Sequence, residues 1–273
     1  MRTLKRSLLT LFPVLLLLLV LAVPVHAEKL KSVWHTVSGK GITYYNENGK
    51  RVKAPKKNTY KIIEIKGKSY AFNYAGYQVH GWRKIGSEYY YFAHGTKSKG
   101  RMLTDKKING IPLGKDGKAK LKTTRMKRKA ALMANYSEWA DEITKKIPLA
   151  SRGKKLKKCY DYLRRLPYRY VGSFRKSDPN YDIWGAEYVY KKRSYDCHPI
   201  AAAFAYMANA LGCGKCTVYK AQTGKYAHSF TSAGGKYYDV SLGRQNLNSY
   251  KLFGMKEYKS FKPFIDHVRR IDQ

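Results

Sequence analysis

Three residues of the last third of the chain, Cys197, His228 and Asp239, have the types and the order of a thiol nucleophile, its general base and a carboxylate to orient that base. A carboxylate that accepts from one imidazole nitrogen fixes the tautomer and leaves the other nitrogen to take a proton from a thiol. The thiol is placed by its local sequence, Ser194-Tyr195-Asp196-Cys197-His198-Pro199. Asp196 is a good N-cap, Pro199 suits a first turn, and Gly212 is a C-terminal stop. Between them Ile200, Phe204, Met207 and Leu211 form one apolar stripe, and the alanines at 201, 202, 203 and 205 allow close approach by neighbours. The pattern predicts a central, buried helix with Cys197 in its first turn. There the unpaired backbone N–H groups and the positive end of the helix dipole favour a thiolate.

The base and its partner fall on three short segments rich in β-branched and aromatic residues, at 217–221, 225–232 and 236–241. Ala233-Gly234-Gly235-Lys236 is a tight-turn signal between the last two. With Gly234 and Gly235 as the central pair, Asp239 opposes Phe230 and His228 is its diagonal neighbour. With the loop slipped to Ala233-Gly234, His228 and Asp239 stand directly opposite. Either register brings the imidazole and the carboxylate together across one hairpin.

A cysteine at a helix start, a histidine on one strand and an aspartate on the next resemble the transglutaminase-like superfamily in its papain-related Cys-His-Asp order. The resemblance spans roughly residues 132–250, and the helix ending in Tyr160-Asp161-Tyr162-Leu163-Arg164-Arg165-Leu166-Pro167-Tyr168 is similar to that family's leading helix. It implies that Cys197 attacks an amide carbonyl to give a thioester, with His228 as base and then acid and Asp239 orienting it. The oxyanion would rest partly on the Cys197 backbone N–H. Trp184 and Tyr195 are the candidates for a side-chain oxyanion donor, and the spacing does not choose between them. His198, beside the nucleophile, reads as a local structural or rim residue. No cofactor and no metal site are expected: Cys213-Gly214-Lys215-Cys216 has CxxC spacing, yet no second CxxC or HxxxH completes a zinc site. With Cys197 free, three cysteines remain, so at most one disulfide is expected, joining Cys213 or Cys216 to each other or to Cys159.

Two helices lead into this region. Leu132, Tyr136, Trp139, Ile143 and Ile147 recur at helical steps up to Pro148, with Asn135 and Glu138 resembling a capping box. Leu156, Cys159, Tyr160 and Leu163 mark a second helix, with Cys159 as a buried core thiol. Before them, residues 118–129 carry seven basic side chains and no acid, the pattern of a solvated linker.

Upstream again, short aromatic runs alternate with glycine turns at Gly49, Gly76, Gly95 and Gly117, spaced 27, 19 and 22 residues apart, which suggests an array of hairpins. The best unit, Gly81-Trp82-Arg83-Lys84-Ile85-Gly86-Ser87-Glu88-Tyr89-Tyr90-Tyr91-Phe92, resembles the choline-binding and glucan-binding repeats of Gram-positive surface proteins. By that resemblance Trp82, Tyr90, Tyr91 and Phe92 are candidates for holding a cation by cation–π attraction or stacking on a sugar. Only Trp82 occupies the repeat's first Trp position, which points to a degenerate wall-attachment module. The competing reading is that these rings only pack hairpin on hairpin.

Composition sets the partners. The 273 residues hold 55 Lys plus Arg against 18 Asp plus Glu, a net charge of +37, while 44% hydrophobic residues exclude a disordered polycation. Arg2, Lys5 and Arg6 precede an apolar run from Leu8 to Val25, and Val25-His26-Ala27 resembles a cleavage site. Residues 1–27 are thus expected to be a signal peptide, with a membrane partner only if that segment stays uncleaved. Outside the cell a basic chain seeks an anionic cell-wall polymer or glycan, and nucleic acid is not expected. The expected organisation is an all-β hairpin-repeat module at 28–121, a basic linker at 122–131 and an α+β, transglutaminase-like (papain-related) domain at 132–273. Two functions compete: a secreted or wall-attached cysteine-dependent acyl enzyme acting on a protein or peptide, by hydrolysis or by transfer to an amine, and a non-catalytic surface-binding protein that keeps the fold.

Overall fold

The structure is a computed structural model and describes residues 30–95, 99–171, 178–223, 226–245, 252–258 and 264–271. The expected signal peptide lies outside these residues. The glycine-rich half forms four antiparallel hairpins: β1 (Val33–Val37) with β2 (Gly41–Tyr45), β3 (Tyr60–Ile65) with β4 (Lys68–Asn73), β5 (Gly81–Ile85) with β6 (Glu88–Phe92), and β7 (Lys107–Ile108) with β8 (Ile111–Pro112). The tight turns Lys66-Gly67 and Asn109-Gly110 hold both central residues at positive φ, the twist that two-residue hairpins need. After each hairpin the chain folds back through a single bridge: Tyr45 with Arg51, Phe72 with Gln78, Phe92 with Met102, and Leu113 with Ala119. The returning segment then bonds to an earlier hairpin, as in Gln78 N–H to the Ile42 carbonyl (2.8 Å) and Met102 N–H to the Ser69 carbonyl (2.8 Å), so the units stack.

Their cores are small. Phe72 packs with Val52 and Ile65, and Phe92 packs with Ala71 and Val79. Trp82 and Phe92 are 1% and 0% exposed, which corrects the expectation that they present faces to a ligand. Trp82 lies edge-on to Tyr91 and donates from Nε1 to Asn109 Oδ1 at 2.8 Å, because a buried indole needs a partner for its N–H. Tyr90 and Tyr91 are half-buried.

The basic stretch at 122–131 is not a solvated linker. Helix α1 (Thr124–Thr144) begins inside it, capped by Thr123, whose side chain accepts from the Met126 N–H, while Asn135 and Glu138 lie in mid-helix. The charges have partners on α3 (Tyr181–Lys192) and its cap: Arg125 donates to Asn180 Oδ1 at 2.7 Å and reaches Asp182, and Arg128 pairs with Glu187 at 2.9 Å. Nor do the hairpins end where the helices begin. Trp82, Ile111, Leu113 and Ala119 belong to the same core as α1, buried Arg83 pairs with Asp141 on that helix, and Tyr60 donates to Glu138 at 3.0 Å.

Helices α2 (Arg152–Leu163) and α4 (Cys197–Ala210) complete the helical layer. Every residue of α4 from Pro199 to Ala210 is buried. Gly185 lets α3 lie directly on it, since a Cβ there would stand 3.1 Å from the Pro199 Cα and 3.2 Å from the Ala202 Cβ. α4 packs on a five-stranded antiparallel sheet of β9 (Cys216–Thr223), β10 (Tyr226–Ala233), β11 (Lys236–Tyr238), β12 (Phe253–Met255) and β13 (Phe264–Arg270), in the order β12-β11-β10-β9-β13. A short helix, α5 (Val240–Gln245), follows β11. None of the four cysteines is disulfide-bonded, so the expected bridge is absent. Cys159 is core, as expected, and Cys216 turns into the core with its thiol donating to the Gly214 carbonyl at 3.3 Å. No helix among the described residues is long and apolar enough to cross a membrane.

Candidate active site

Asp196 makes the start of α4. It sits in extended conformation, its Oδ1 accepts the His198 N–H at 3.1 Å, and Cys197 becomes the first helical residue. Burial raises its carboxyl pKa, and the backbone donors of Val171 and His198 pull the other way. Its other oxygen accepts the Val171 N–H at 3.1 Å. That bond, with Arg169 N–H to the Tyr195 carbonyl at 2.7 Å, ties down the segment Tyr168–Val171 near the start of α4, leaving Tyr170 79% exposed. The Cys197 thiol is half-buried and lies 4.0 Å from the Ala227 carbonyl oxygen.

The sheet brings the other two residues to it. Ala233 pairs with Lys236, Ser232 with Tyr237 and Thr231 with Tyr238, and Gly234 and Gly235 take the turn at φ +57 and +78. This is the register with the two glycines central, in which His228 and Asp239 are diagonal neighbours. The strand stops at Tyr238 because Asp239 caps α5: its Oδ1 accepts the Leu242 N–H at 2.9 Å. Its Oδ2 accepts from His228 Nε2 at 2.6 Å, with the carboxylate fully buried. The same imidazole is close enough to Cys197 for the thiol to act on its pKa. Burial alone would lower the His228 pKa, but the hydrogen bonds and charges of Asp239 and Cys197 more than reverse this and raise it to about 9. A ring that holds its proton so firmly is a ready counter-ion for a thiolate at neutral pH.

The remaining expectations separate. His198 pairs through Nδ1 with Ser229 Oγ, and Thr231 Oγ1 donates to the Ala201 carbonyl at 2.7 Å, so His198 belongs to the seam of α4 on β10. The Tyr195 hydroxyl donates to the Arg164 carbonyl at 3.3 Å, and Trp184 stacks on Tyr188 with centroids 5.8 Å apart. Two tyrosines that no sequence pattern linked to Asp239 also hold it. Tyr160 of α2 donates to its backbone carbonyl at 2.8 Å, and Tyr258, after β12, donates to Oδ2. Tyr160 was visible only as an apolar-stripe residue, and Tyr258, nineteen positions beyond Asp239, gave no signal. No group of three or more potential metal ligands occurs among the described residues.

No protein-family model and no curated protein matches the chain. Among solved structures, the chain is similar to the choline binding domain of Spr1274 from Streptococcus pneumoniae, at 21% identity over 32% of this chain and 90% of that one, with a TM-score of 0.26. It is also similar to the modular Cpl-1 endolysin complexed with a peptidoglycan analogue, at 23% identity over 32% of this chain, and spans about a quarter (24%) of that protein's length, with a TM-score of 0.25. Choline binding protein F from Streptococcus pneumoniae matches at 22% identity over 33% of this chain and 35% of that one, with a TM-score of 0.21. What these comparisons give is a likeness of small antiparallel hairpins to choline-binding repeat modules, over about a third of the chain.

Proposed function

We propose that the protein is a surface-attached, cysteine-dependent acyl enzyme of transglutaminase-like type, acting on a peptide or amide through Cys197, His228 and Asp239. The observation that carries this reading is one imidazole bound to a buried carboxylate and coupled electrostatically to a thiol at a helix start. The thiolate attacks the carbonyl carbon, and the oxyanion meets the Cys197 N–H, one of the first-turn donors that have no partner within the helix. His228 passes its proton to the leaving amine as the C–N bond breaks, leaving a thioester. Water or a second amine, deprotonated by the now neutral imidazole, releases the acyl group as the C–S bond breaks and restores the thiolate–imidazolium pair. The Tyr195 hydroxyl is engaged by the Arg164 carbonyl, and Trp184 remains the candidate side-chain donor. The basic hairpin half, with 26 basic and 6 acidic residues over 28–131, would hold the enzyme on an anionic wall polymer or glycan outside the cell.

A second reading, a non-catalytic surface-binding protein, is favoured by that same charge, which is densest away from the triad. Labelling with iodoacetamide at neutral pH, read residue by residue by mass spectrometry, separates the two. The enzyme reading expects Cys197 to react far faster than Cys213, whose thiol burial pushes up to about 11. Equal slow labelling of both would leave only the binding reading. Sedimentation of the full chain with purified walls at low and high salt tests attachment, which should weaken as salt rises.

A further inference from the structure

Asp239 has a third side-chain partner beyond the expected constellation. The Tyr258 hydroxyl donates to Oδ2, the same oxygen that accepts from His228, while Oδ1 is held by the Leu242 N–H. The ring that carries this hydroxyl is itself fixed: it lies flat on Phe230, with centroids 3.8 Å apart and planes within 5°, and Phe230 is stacked in turn on Tyr219 at 4.9 Å and 8°. Phe230 is two residues from His228 on the same strand, so one strand carries both the base and the platform for the tyrosine. Burial first, and then the Asp239 charge, drive the phenol pKa far upward, so the hydroxyl remains a donor. Donors shared on one oxygen divide its charge between them. What Tyr258 draws from Oδ2 is withdrawn from His228.

We infer that Tyr258 is a positioning residue that acts through Asp239, holding the carboxylate in place and tempering how strongly it holds the proton on His228. The inference rests on the reading of Cys197, His228 and Asp239 as a catalytic triad. A purely structural tyrosine would support the sheet face by stacking and leave the titration of the site unchanged. Tyr258→Phe separates the two, because it keeps the stack on Phe230 and removes only the donor.

The experiment is the rate of Cys197 carboxymethylation by iodoacetate against pH, read by mass spectrometry on the full chain. An anionic reagent reacts fastest while the thiolate faces a cationic imidazole, so the upper limb of the profile reports the loss of the His228 proton. For Tyr258→Phe the expected result is an upper limb displaced to higher pH by roughly one unit, the size of one hydrogen bond to a charged group. Asp239→Asn should move that limb downward, and adding Tyr258→Phe to it should move it far less than in the wild-type background, since the proposed route to the ring runs through the carboxylate. A Tyr258→Phe profile superimposed on the wild-type one, or a shift that persists in full in the Asp239→Asn background, overturns the role. A wild-type profile with no acid-side limb, rising only as an ordinary thiol does, overturns the triad reading and the role of Tyr258 with it.

Discussion

The hairpin half and the sheet half are both antiparallel and both rich in tyrosine, yet they bury different things. The hairpins close on small apolar clusters around Phe72 and Phe92 and leave their lysines to solvent. The five-stranded sheet, covered by α4, has enough depth to enclose an imidazole and a carboxylate. Burying such a pair is costly unless every lone pair and proton is matched, and Asp239 is matched by donors from His228, Leu242 and Tyr258. A two-stranded unit cannot supply that shell. Similar residue types thus serve only for packing in a thin layer, whereas a thick layer can enclose a paired imidazole and carboxylate.

The largest expected effect breaks the comparison outright. Cys197→Ala should abolish any acyl turnover while wall sedimentation stays at the wild-type level; loss of both together would show that the halves do not divide the work. Next in size, Trp82→Ala removes a fully buried indole from the seam between β5 and α1 and should cost about 3–5 kcal/mol, measured by denaturant unfolding. A single cooperative transition throughout would show that the third hairpin and the helices unfold as one body. Gly243→Ala tests the support of Asp239 from below. A Cβ there would stand 2.1 Å from the Tyr160 hydroxyl, so the helix must shift, at about 1–3 kcal/mol, and Cys197 labelling should slow with it.

The smallest effects are in pH, and they carry opposite signs in the two halves. At the seam His80 and His94 are stacked at 5.8 Å, and burial, followed by nearby cations and the neighbouring ring, lowers their pKa values to about 4 and about 3. Their folded values lie below the unfolded value of 6.5, so the neutral rings favour the fold above pH 6.5, and that stability is lost as pH falls toward 4. The His228 value is raised to about 9, so its contribution is complete below pH 6.5 and is lost as pH rises through 9. Thermal unfolding across this range should show an acid loss that shrinks in His80→Phe, where His94 remains, and an alkaline loss that shrinks in Asp239→Asn.

Much of the site was legible in the residues. Asp196, Pro199, the alanine run and Gly212 describe α4 locally, because caps and stripes act over a single turn. The pair Gly234-Gly235 described its hairpin for the same reason, although only the strand pairing chose between its two registers. The basic stretch departs from a solvated linker because charge density does not distinguish one from a helix whose arginines meet Asp182 and Glu187 more than fifty residues away. The aromatic candidates failed at Trp82 and Phe92 because the partners that bury them, Asn109 and the α1 face for one and Ala71 and Val79 for the other, are not their sequence neighbours.

By itself, then, the sequence determined the local elements, the three chemical residue types with their order along the chain, and a net charge of +37 that favours polyanionic surroundings. Tertiary structure alone decided which rings were buried, that Cys159, Cys213 and Cys216 stay unbridged, and that Tyr160 and Tyr258 close on Asp239 from α2 and from beyond β12. The reason is physical: turns, caps and amphipathic stripes are set within a few residues. The surroundings of a buried carboxylate are set by whichever distant segments the packing brings against it.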